Sequence, residues 1–133
     1  MLRILIVDRD RDTREALARA FEIEGWRTDT AAAMDDALAL LEGNAAYDAV
    51  LLEVTLPLPS SLAFVREKEG RRSIAAVPVV AMTSDVDVPD ALEGVVRVLR
   101  KPFSIGFAMA ALCHAAAYGV ASGPRLSEAR RRS

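Results

Sequence analysis

Along this chain, short apolar runs of strand length alternate with longer segments that have helical periodicity. The first run, at residues 3–7, is apolar at nearly every position. Such a run is typical of a strand buried on both faces, as strands are in a parallel sheet. Strict β–α alternation places helices on both faces of that sheet. The sequence therefore predicts an α/β domain with a doubly wound, five-stranded parallel sheet.

The other predicted elements follow from periodicity and from local stop signals. A capping box at residues 12–15 predicts the start of the first helix, and Gly25 predicts its end. Ser104 is a candidate cap for an Ala-rich last helix that runs to about Tyr118. The remaining predicted strands are 26–31, 48–53, 77–82 and 95–99, and the remaining predicted helices are 34–41, about 61–70 and a short or irregular one before the last strand.

Four chemically distinctive residues come where predicted strands end. Asp8, Glu53, Thr83 and Lys101 follow or close four separate strands. In an open parallel sheet, ligands bind beyond the carboxyl ends of the strands, where the strand order reverses. We therefore expect these four side chains to form one pocket.

Composition limits the class of protein. The chain has 133 residues, 52% of them hydrophobic and 27% charged, which is typical of one globular domain. Its single cysteine, Cys113, is expected in the core and fits a reducing compartment. No apolar run is long enough to span a bilayer, and the charged start does not resemble a signal peptide. The expected location is the cytoplasm, with no membrane contact.

Charge is distributed unevenly along the chain. Residues 124–133 hold four arginines and one glutamate, whereas the preceding part holds 13 basic and 18 acidic residues. An acidic body argues against a nucleic-acid-binding core, because such binding needs cations that face phosphates. We expect residues 1–120 to form the domain and residues 121–133 to form a flexible basic tail.

Four motifs together resemble the receiver domain of bacterial response regulators, which has the flavodoxin-like (βα)5 fold. They are ILIVDRDRDTREAL, YDAVLLEVTLP, PVVAMTS and LRKPF. Their spacing also fits that family, with 45 residues from Asp8 to Glu53 and 30 from Glu53 to Thr83. The resemblance covers residues 1 to about 120.

The resemblance implies a specific chemistry. In the family, two acids after the first strand and an Asp after the third hold Mg²⁺, and that Asp accepts a phosphoryl group from a kinase. A hydroxyl and a Lys then bind the phosphoryl oxygens. Asp8, Thr83 and Lys101, which is followed by Pro102, match three of these positions.

The chain departs from the family at several positions. Arg9 stands where the family has an acid that binds Mg²⁺, Glu53 where it has the phospho-acceptor Asp, and Val98 where it often has a switch aromatic residue. Ser61 fills a usual Gly position. The interval from Thr83 to Lys101 is also short by about one helical turn, which predicts a truncated or irregular fourth helix.

The two substitutions in the pocket act in the same direction. At ~4 Å and an effective dielectric constant of ~20, two like unit charges repel by roughly 4 kcal/mol, and a divalent cation near Arg9 would experience about twice that. The extra methylene of Glu53 displaces its carboxylate by more than about an ångström, which in-line transfer tolerates poorly. Magnesium binding is expected to be lost or weak, and neither a metal site nor a catalytic residue is assigned.

The predicted function is that of a pseudo-receiver, a non-enzymatic protein-interaction module that signals without phosphate. Its expected partner is a histidine kinase or a downstream effector, and a homodimer is also considered. Glu53 could reach Lys101 or Thr83 and imitate the phosphorylated form. Alternatively, Arg9 could pair with Glu53 or Asp8 and close the pocket. These two arrangements stay open at this point.

Three other functions are retained as alternatives. The first is a conventional Mg²⁺-dependent receiver that is phosphorylated. The second is a flavodoxin-like domain in which Arg9 and Lys101 bind an anionic small molecule, although the chain has no Gly-rich phosphate loop. The third is nucleic-acid binding through the arginine-rich tail, which a steep dependence of affinity on salt would reveal.

Overall fold

The computed structural model describes residues 1–118 and contains one five-stranded sheet with helices on both faces. The strands are β1 (Arg3–Val7), β2 (Arg27–Ala31), β3 (Ala49–Glu53), β4 (Val79–Thr83) and β5 (Arg97–Arg100). The helices are α1 (Arg11–Ile23), α2 (Met34–Leu41), α3 (Leu58–Ser61), α4 (Ala63–Glu69) and α5 (Ile105–Tyr118). The predicted tail, residues 121–133, lies outside the described residues.

All four neighbouring strand pairs are parallel, in the order β2-β1-β3-β4-β5. This is the flavodoxin-like order, in which the chain reverses its winding direction between β1 and β3. The predicted fold class is therefore confirmed. The strand-order reversal places Asp8, after β1, beside the end of β3, where Glu53 lies.

Successive strand residues point to opposite sides of the sheet, and in the central strands β1, β3 and β4 both sides are buried. Leu5 and Val7 of β1 pack into a cluster with α2 and α4, whereas Ile4 and Ile6 pack into a second cluster with α1 and α5. Every residue of β4 is buried. This burial on both sides explains why the three central strands are nearly continuous apolar runs, whereas the edge strands β2 and β5 are only partly buried and carry polar residues.

The first helix begins earlier than the sequence suggested. Its N-cap is Asp10, whose carboxylate accepts a hydrogen bond from the backbone N–H of Thr13 at 3.0 Å. Asp12 lies within the first turn, so the capping box predicted at residues 12–15 is wrong. The end was predicted correctly, since Gly25 follows the helix with φ +90°. A positive φ there favours glycine.

Two of the connections differ from a simple β–α repeat. Between β3 and β4 the chain forms two short helices, α3 and α4, where one was predicted. Between β4 and β5, residues 84–96 contain turns and no helix. The prediction of a truncated or irregular fourth helix is thus confirmed, since this segment contains no helix at all.

The last helix has the predicted bounds, but the predicted burial of Cys113 within it is wrong. Ser104 accepts a hydrogen bond from the N–H of Phe107 at 3.0 Å, as a cap does. Cys113 is exposed, which contradicts the expected core position. Buried Leu112 precedes it, so helical rotation turns Cys113 away from the sheet. Among residues 1–118, no helix is both long and apolar enough to cross a bilayer.

Candidate functional site

Three of the predicted pocket residues meet around one ammonium group. Lys101 Nζ lies 3.2 Å from a carboxylate oxygen of Asp8 and 3.2 Å from a carboxylate oxygen of Glu53. The Asp8 side chain is fully buried, and those of Glu53 and Lys101 are about one-fifth exposed. The lysine therefore bridges two acids that would otherwise face each other at the edge of the sheet.

The sheet positions each member of this group. Asp8 comes directly after β1, and Glu53 is the last residue of β3. Lys101 follows β5, and its N–H donates to the carbonyl of Thr83 at 2.8 Å. Because carboxyl ends of parallel strands meet at one edge, residues distant in sequence become neighbours in space.

Asp8 is fixed by more than its ion pair. Its second carboxylate oxygen, Oδ1, accepts a hydrogen bond from the N–H of Asp10 at 2.8 Å. Each of its oxygens thus has a hydrogen-bond donor, as a fully buried polar side chain requires. We conclude that Asp8 is the structural centre of the pocket.

Thr83 lies beside this group but engages another partner. It is fully buried, and its hydroxyl accepts a hydrogen bond from the N–H of Asp85 at 3.0 Å. Within residues 1–118, no hydrogen bond joins Thr83 to Glu53. Lys101 and Thr83 were the two expected partners of Glu53, and in the structure the Glu53 carboxylate contacts Lys101.

Arg9 is exposed, and among the described residues it forms no ion pair. The alternative in which it pairs with Asp8 or Glu53 is therefore wrong for this structure. Its backbone carbonyl accepts a hydrogen bond from the guanidinium of Arg14 at 3.1 Å, and that guanidinium also donates to the carbonyl of Asp8 at 2.9 Å. The loop between β1 and α1 is thereby held in place.

Arg14 and Asp10 are functional neighbours that were not predicted from the sequence. Both fix the loop that carries Asp8 and Arg9. The pKa of Asp10 is lowered by hydrogen bonds from the Thr13 hydroxyl and backbone N–H. The sequence did offer one indication of the Arg14 contact. Arg14 lies five or six residues after Asp8 and Arg9, and a long side chain in the first helical turn can contact the residues just before that turn.

An open cleft of about 510 Å³ adjoins the pocket between β1 and β3. Its walls combine Asp8, Arg9 and Glu53 with apolar and hydroxyl side chains that include Met34, Phe64, Thr55 and Ser60. Lys101 is not among its lining residues and is held between the two carboxylates. The two cations that were expected to grip an anion therefore do not share this cleft.

Val98 and Ser61, the two other positions at which the chain departs from the family, both have structural roles. Val98 lies on β5, partly buried, where it pairs with Ala81 of β4 and packs against the core cluster around β1 and β3. Ser61 ends α3 and accepts a hydrogen bond from the N–H of Thr55 at 2.9 Å. Among residues 1–118, no group of three His, Cys, Asp or Glu side chains is arranged to hold a metal ion.

Comparison with known proteins agrees with this architecture. The sequence profile of the family described as "Response regulator receiver domain" matches residues 4–112. The chain is 34% identical over 108 residues to the Transcriptional regulatory protein CpxR homolog of Haemophilus influenzae, which covers 78% of this chain and 45% of that protein. It is 32% identical over 108 residues to Response regulator MprA of Mycobacterium sp. (strain KMS), and this similarity covers 78% of this chain and 46% of that protein.

Among solved structures, the response regulator receiver domain protein from Clostridium thermocellum is similar, with a TM-score of 0.76 and 22% identity. The similarity covers 90% of this chain and 97% of that one. The chain spans about half the length of the curated relatives it matches. From the profile match over residues 4–112, the parallel sheet and the pocket at its edge, we conclude that this chain belongs to the response regulator receiver domain family of two-component signalling.

Proposed function

We propose that this domain is a pseudo-receiver, which acts in two-component signalling as a protein-interaction module without being phosphorylated. The observation that carries the proposal is the position of Lys101 Nζ, 3.2 Å from both Asp8 and Glu53. Glu53 supplies, without chemical modification, a negative charge to the lysine that would bind a phosphoryl group in the family. The lysine then contacts a carboxylate at position 53 whether or not a phosphoryl group is present.

The residues of the pocket do not fit Mg²⁺, the cation that the family implies. Magnesium requires oxygen ligands in near-octahedral geometry. One oxygen of Asp8 is used by Lys101 and the other by the N–H of Asp10, while Asp10 itself caps α1. Arg9 supplies a fixed positive charge at the position of the missing acid. This mismatch supports a pocket that works without the metal.

The geometry of Glu53 supports the same conclusion for phosphoryl transfer. An attacking carboxylate must lie in line with the phosphoryl group that it accepts, and a misplacement of about 1 Å can reduce a rate by about a hundredfold. Glu53 is one methylene longer than Asp, and Lys101 holds its carboxylate. We infer that the domain is not an enzyme and that it binds partners in a phosphate-independent manner.

The partner that we propose is a protein of a two-component pathway, either a histidine kinase or a downstream effector, in the cytoplasm. A homodimer is a further form of the same proposal. The acidic character of the chain before residue 124 supports a protein partner over nucleic acid, because nucleic-acid binding needs clustered cations.

The proposal is tested by incubation with acetyl phosphate and Mg²⁺, followed by intact-mass spectrometry. We expect no phosphorylated species for the wild-type chain. The double substitution Arg9→Asp with Glu53→Asp restores the acid at position 9 and the aspartate at position 53, and it serves as the positive control, in which we expect a mass increase of one phosphoryl group. A stable phosphorylated species in the wild-type chain that disappears in Glu53→Gln would contradict the proposal.

A further inference from the structure

The segment that joins β4 to β5 is held in place although it contains no helix. Within residues 84–96, Val88 is fully buried and belongs to the core cluster around β1 and β3, and Leu92 and Val95 pack against that cluster. Gly94, with φ +80°, lies so close to α4 that an added Cβ would be 2.7 Å from Val65 Cγ1. The segment is therefore docked onto the domain.

Arg100, the last residue of β5, reaches this segment with its guanidinium group. Nη1 donates to the carbonyl of Asp85 at 2.9 Å. Nη2 donates to the carbonyl of Val88 and to the carboxylate of Asp90, the latter at 2.7 Å. One side chain thus binds three points of a segment that lies 10 to 15 residues before it in sequence.

The two carbonyl contacts matter more than the ion pair. A helix would satisfy the carbonyls of this segment internally, whereas a chain of turns needs donors from elsewhere. The planar, forked guanidinium can donate to several acceptors at once, which an ammonium on a flexible stem does less well. The Asp90 side chain is 93% exposed, so water and salt screen its attraction to Arg100.

The same segment also engages Thr83. The Thr83 hydroxyl accepts from the N–H of Asp85, whose carbonyl in turn accepts from Arg100. The next residue, Lys101, binds the pocket carboxylates. Two consecutive basic residues therefore hold two different structures, one the connecting segment and the other the pocket.

We propose that Arg100 is a latch that fixes residues 84–96, together with the Thr83 hydroxyl, in one conformation that does not depend on the charge of the pocket. Its direct consequence is that the surface between β4 and β5 presents a constant shape to a partner. This inference goes beyond the proposed function, because it concerns the connecting segment and holds whether or not Glu53 can be phosphorylated.

The test is amide hydrogen exchange, read at Asp85, whose N–H donates to the Thr83 hydroxyl, and at Asp87 and Val88, whose N–H groups donate to Asp85. In Arg100→Lys we expect exchange at these amides to accelerate by about tenfold or more relative to the buried amides of β4. Arg97→Lys is the matched control, because Arg97 lies on the same strand and contacts the ring of Phe107 instead. That control should leave the three amides unchanged.

Two further variants separate the possible causes. Asp90→Asn should change exchange by less than about threefold, since it removes only the exposed ion pair. Lys101→Met should leave the segment as protected as in the wild type, again relative to β4. Unchanged exchange in Arg100→Lys would overturn the latch. An effect of Asp90→Asn equal to that of Arg100→Lys would overturn the role of the carbonyls, and loss of protection in Lys101→Met would overturn independence from the pocket.

Discussion

At the scale of single residues, the pocket is organised by the charge balance around Lys101. One ammonium serves two carboxylates, of which Asp8 is fully buried and Glu53 is partly accessible to water. A buried charge that loses its partner is strongly destabilising, whereas an accessible one can recover hydration. The three side chains should therefore respond very differently to substitution.

We expect Lys101→Ala to lower the free energy of unfolding by about 3 kcal/mol, because it leaves Asp8 buried without its cation. Glu53→Gln should cost about 1 kcal/mol or less, since Lys101 keeps its contact with Asp8. Urea unfolding monitored by Trp26 fluorescence measures both, and Lys101→Arg serves as the conservative control. Equal costs for Lys101→Ala and Glu53→Gln would show that Asp8 does not depend on the lysine.

Contacts that the backbone of the sheet determines could be predicted from the sequence, whereas contacts that side-chain rotamers determine could not. The meeting of Asp8, Glu53 and Lys101 was predictable, because the sheet brings strand ends together regardless of side-chain detail. The exposed position of the Arg9 side chain and the contact of Arg14 with the carbonyl of Asp8 were not predictable, because they depend on side-chain rotamers. Sequence spacing restricts such contacts but does not choose among them.

At the scale of elements, the segment 84–96 depends on Gly94. Its φ of +80° disfavours any residue with a Cβ, and the Cβ itself would meet Val65 of α4 at 2.7 Å. The conformational cost for a non-glycine residue at such an angle is roughly 1–2 kcal/mol, and the steric overlap adds to it. Two separable penalties therefore act at one position.

We expect Gly94→Ala to destabilise the domain by about 2–3 kcal/mol and Val65→Ala, which removes buried methyl groups, by about 2 kcal/mol. In the double variant the added methyl occupies space that Val65 vacates, so the combined loss should be about 1 kcal/mol smaller than the sum. A double-mutant cycle by denaturant unfolding measures this coupling. Additivity within about 0.3 kcal/mol would contradict the close packing of the segment on α4.

The elements themselves were largely predictable, and the exceptions have local causes. The central strands β1, β3 and β4 were recognisable because they are apolar on both faces, whereas the edge strands β2 and β5 carry polar residues and followed from the alternation of elements. The connection from β3 contains Pro57 and Pro59 at the start of α3, where proline is tolerated, and the interruption lies later, at Leu62, which ends α3 and precedes α4. The short interval between Thr83 and Lys101 indicated that residues 84–96 would lack a regular helix. The contacts of Arg100 with this segment could not be predicted from the sequence.

At the scale of the whole molecule, a second polar group stabilises the edge of the sheet opposite the pocket. Tyr47 donates a hydrogen bond from its hydroxyl to Asp29 at 2.6 Å, and Arg3 binds the same carboxylate oxygen at 2.7 Å. Burial and the hydrogen bond to Asp29 raise the pKa of Tyr47 to about 12. Burial alone would raise the pKa of Asp29, but the hydrogen bonds from Tyr47 and Arg3 outweigh it and lower that pKa.

These shifts predict how stability depends on pH. The raised pKa of Tyr47 gives stability that is present below pH 10, the ordinary tyrosine value, and is lost as the pH rises towards 12. The lowered pKa of Asp29 gives stability that is lost as the pH falls below its ordinary value of 3.8. Denaturant unfolding across pH should show both declines, and Tyr47→Phe should remove the alkaline one. An alkaline decline of the same size in Tyr47→Phe would contradict this assignment.

An amide NMR titration shows whether the pocket responds to Mg²⁺ and to a phosphoryl group. Wild-type protein is titrated with Mg²⁺ at millimolar concentration and then with beryllofluoride, a phosphoryl mimic, with the Arg9→Asp, Glu53→Asp double variant in parallel. We expect the resonances of Asp8, Glu53, Thr83 and Lys101 to stay unchanged in the wild type and to shift in the double variant. Saturable shifts in the wild type that include Thr83 would show that the pocket binds the metal and the phosphoryl mimic, and would contradict signalling without phosphate.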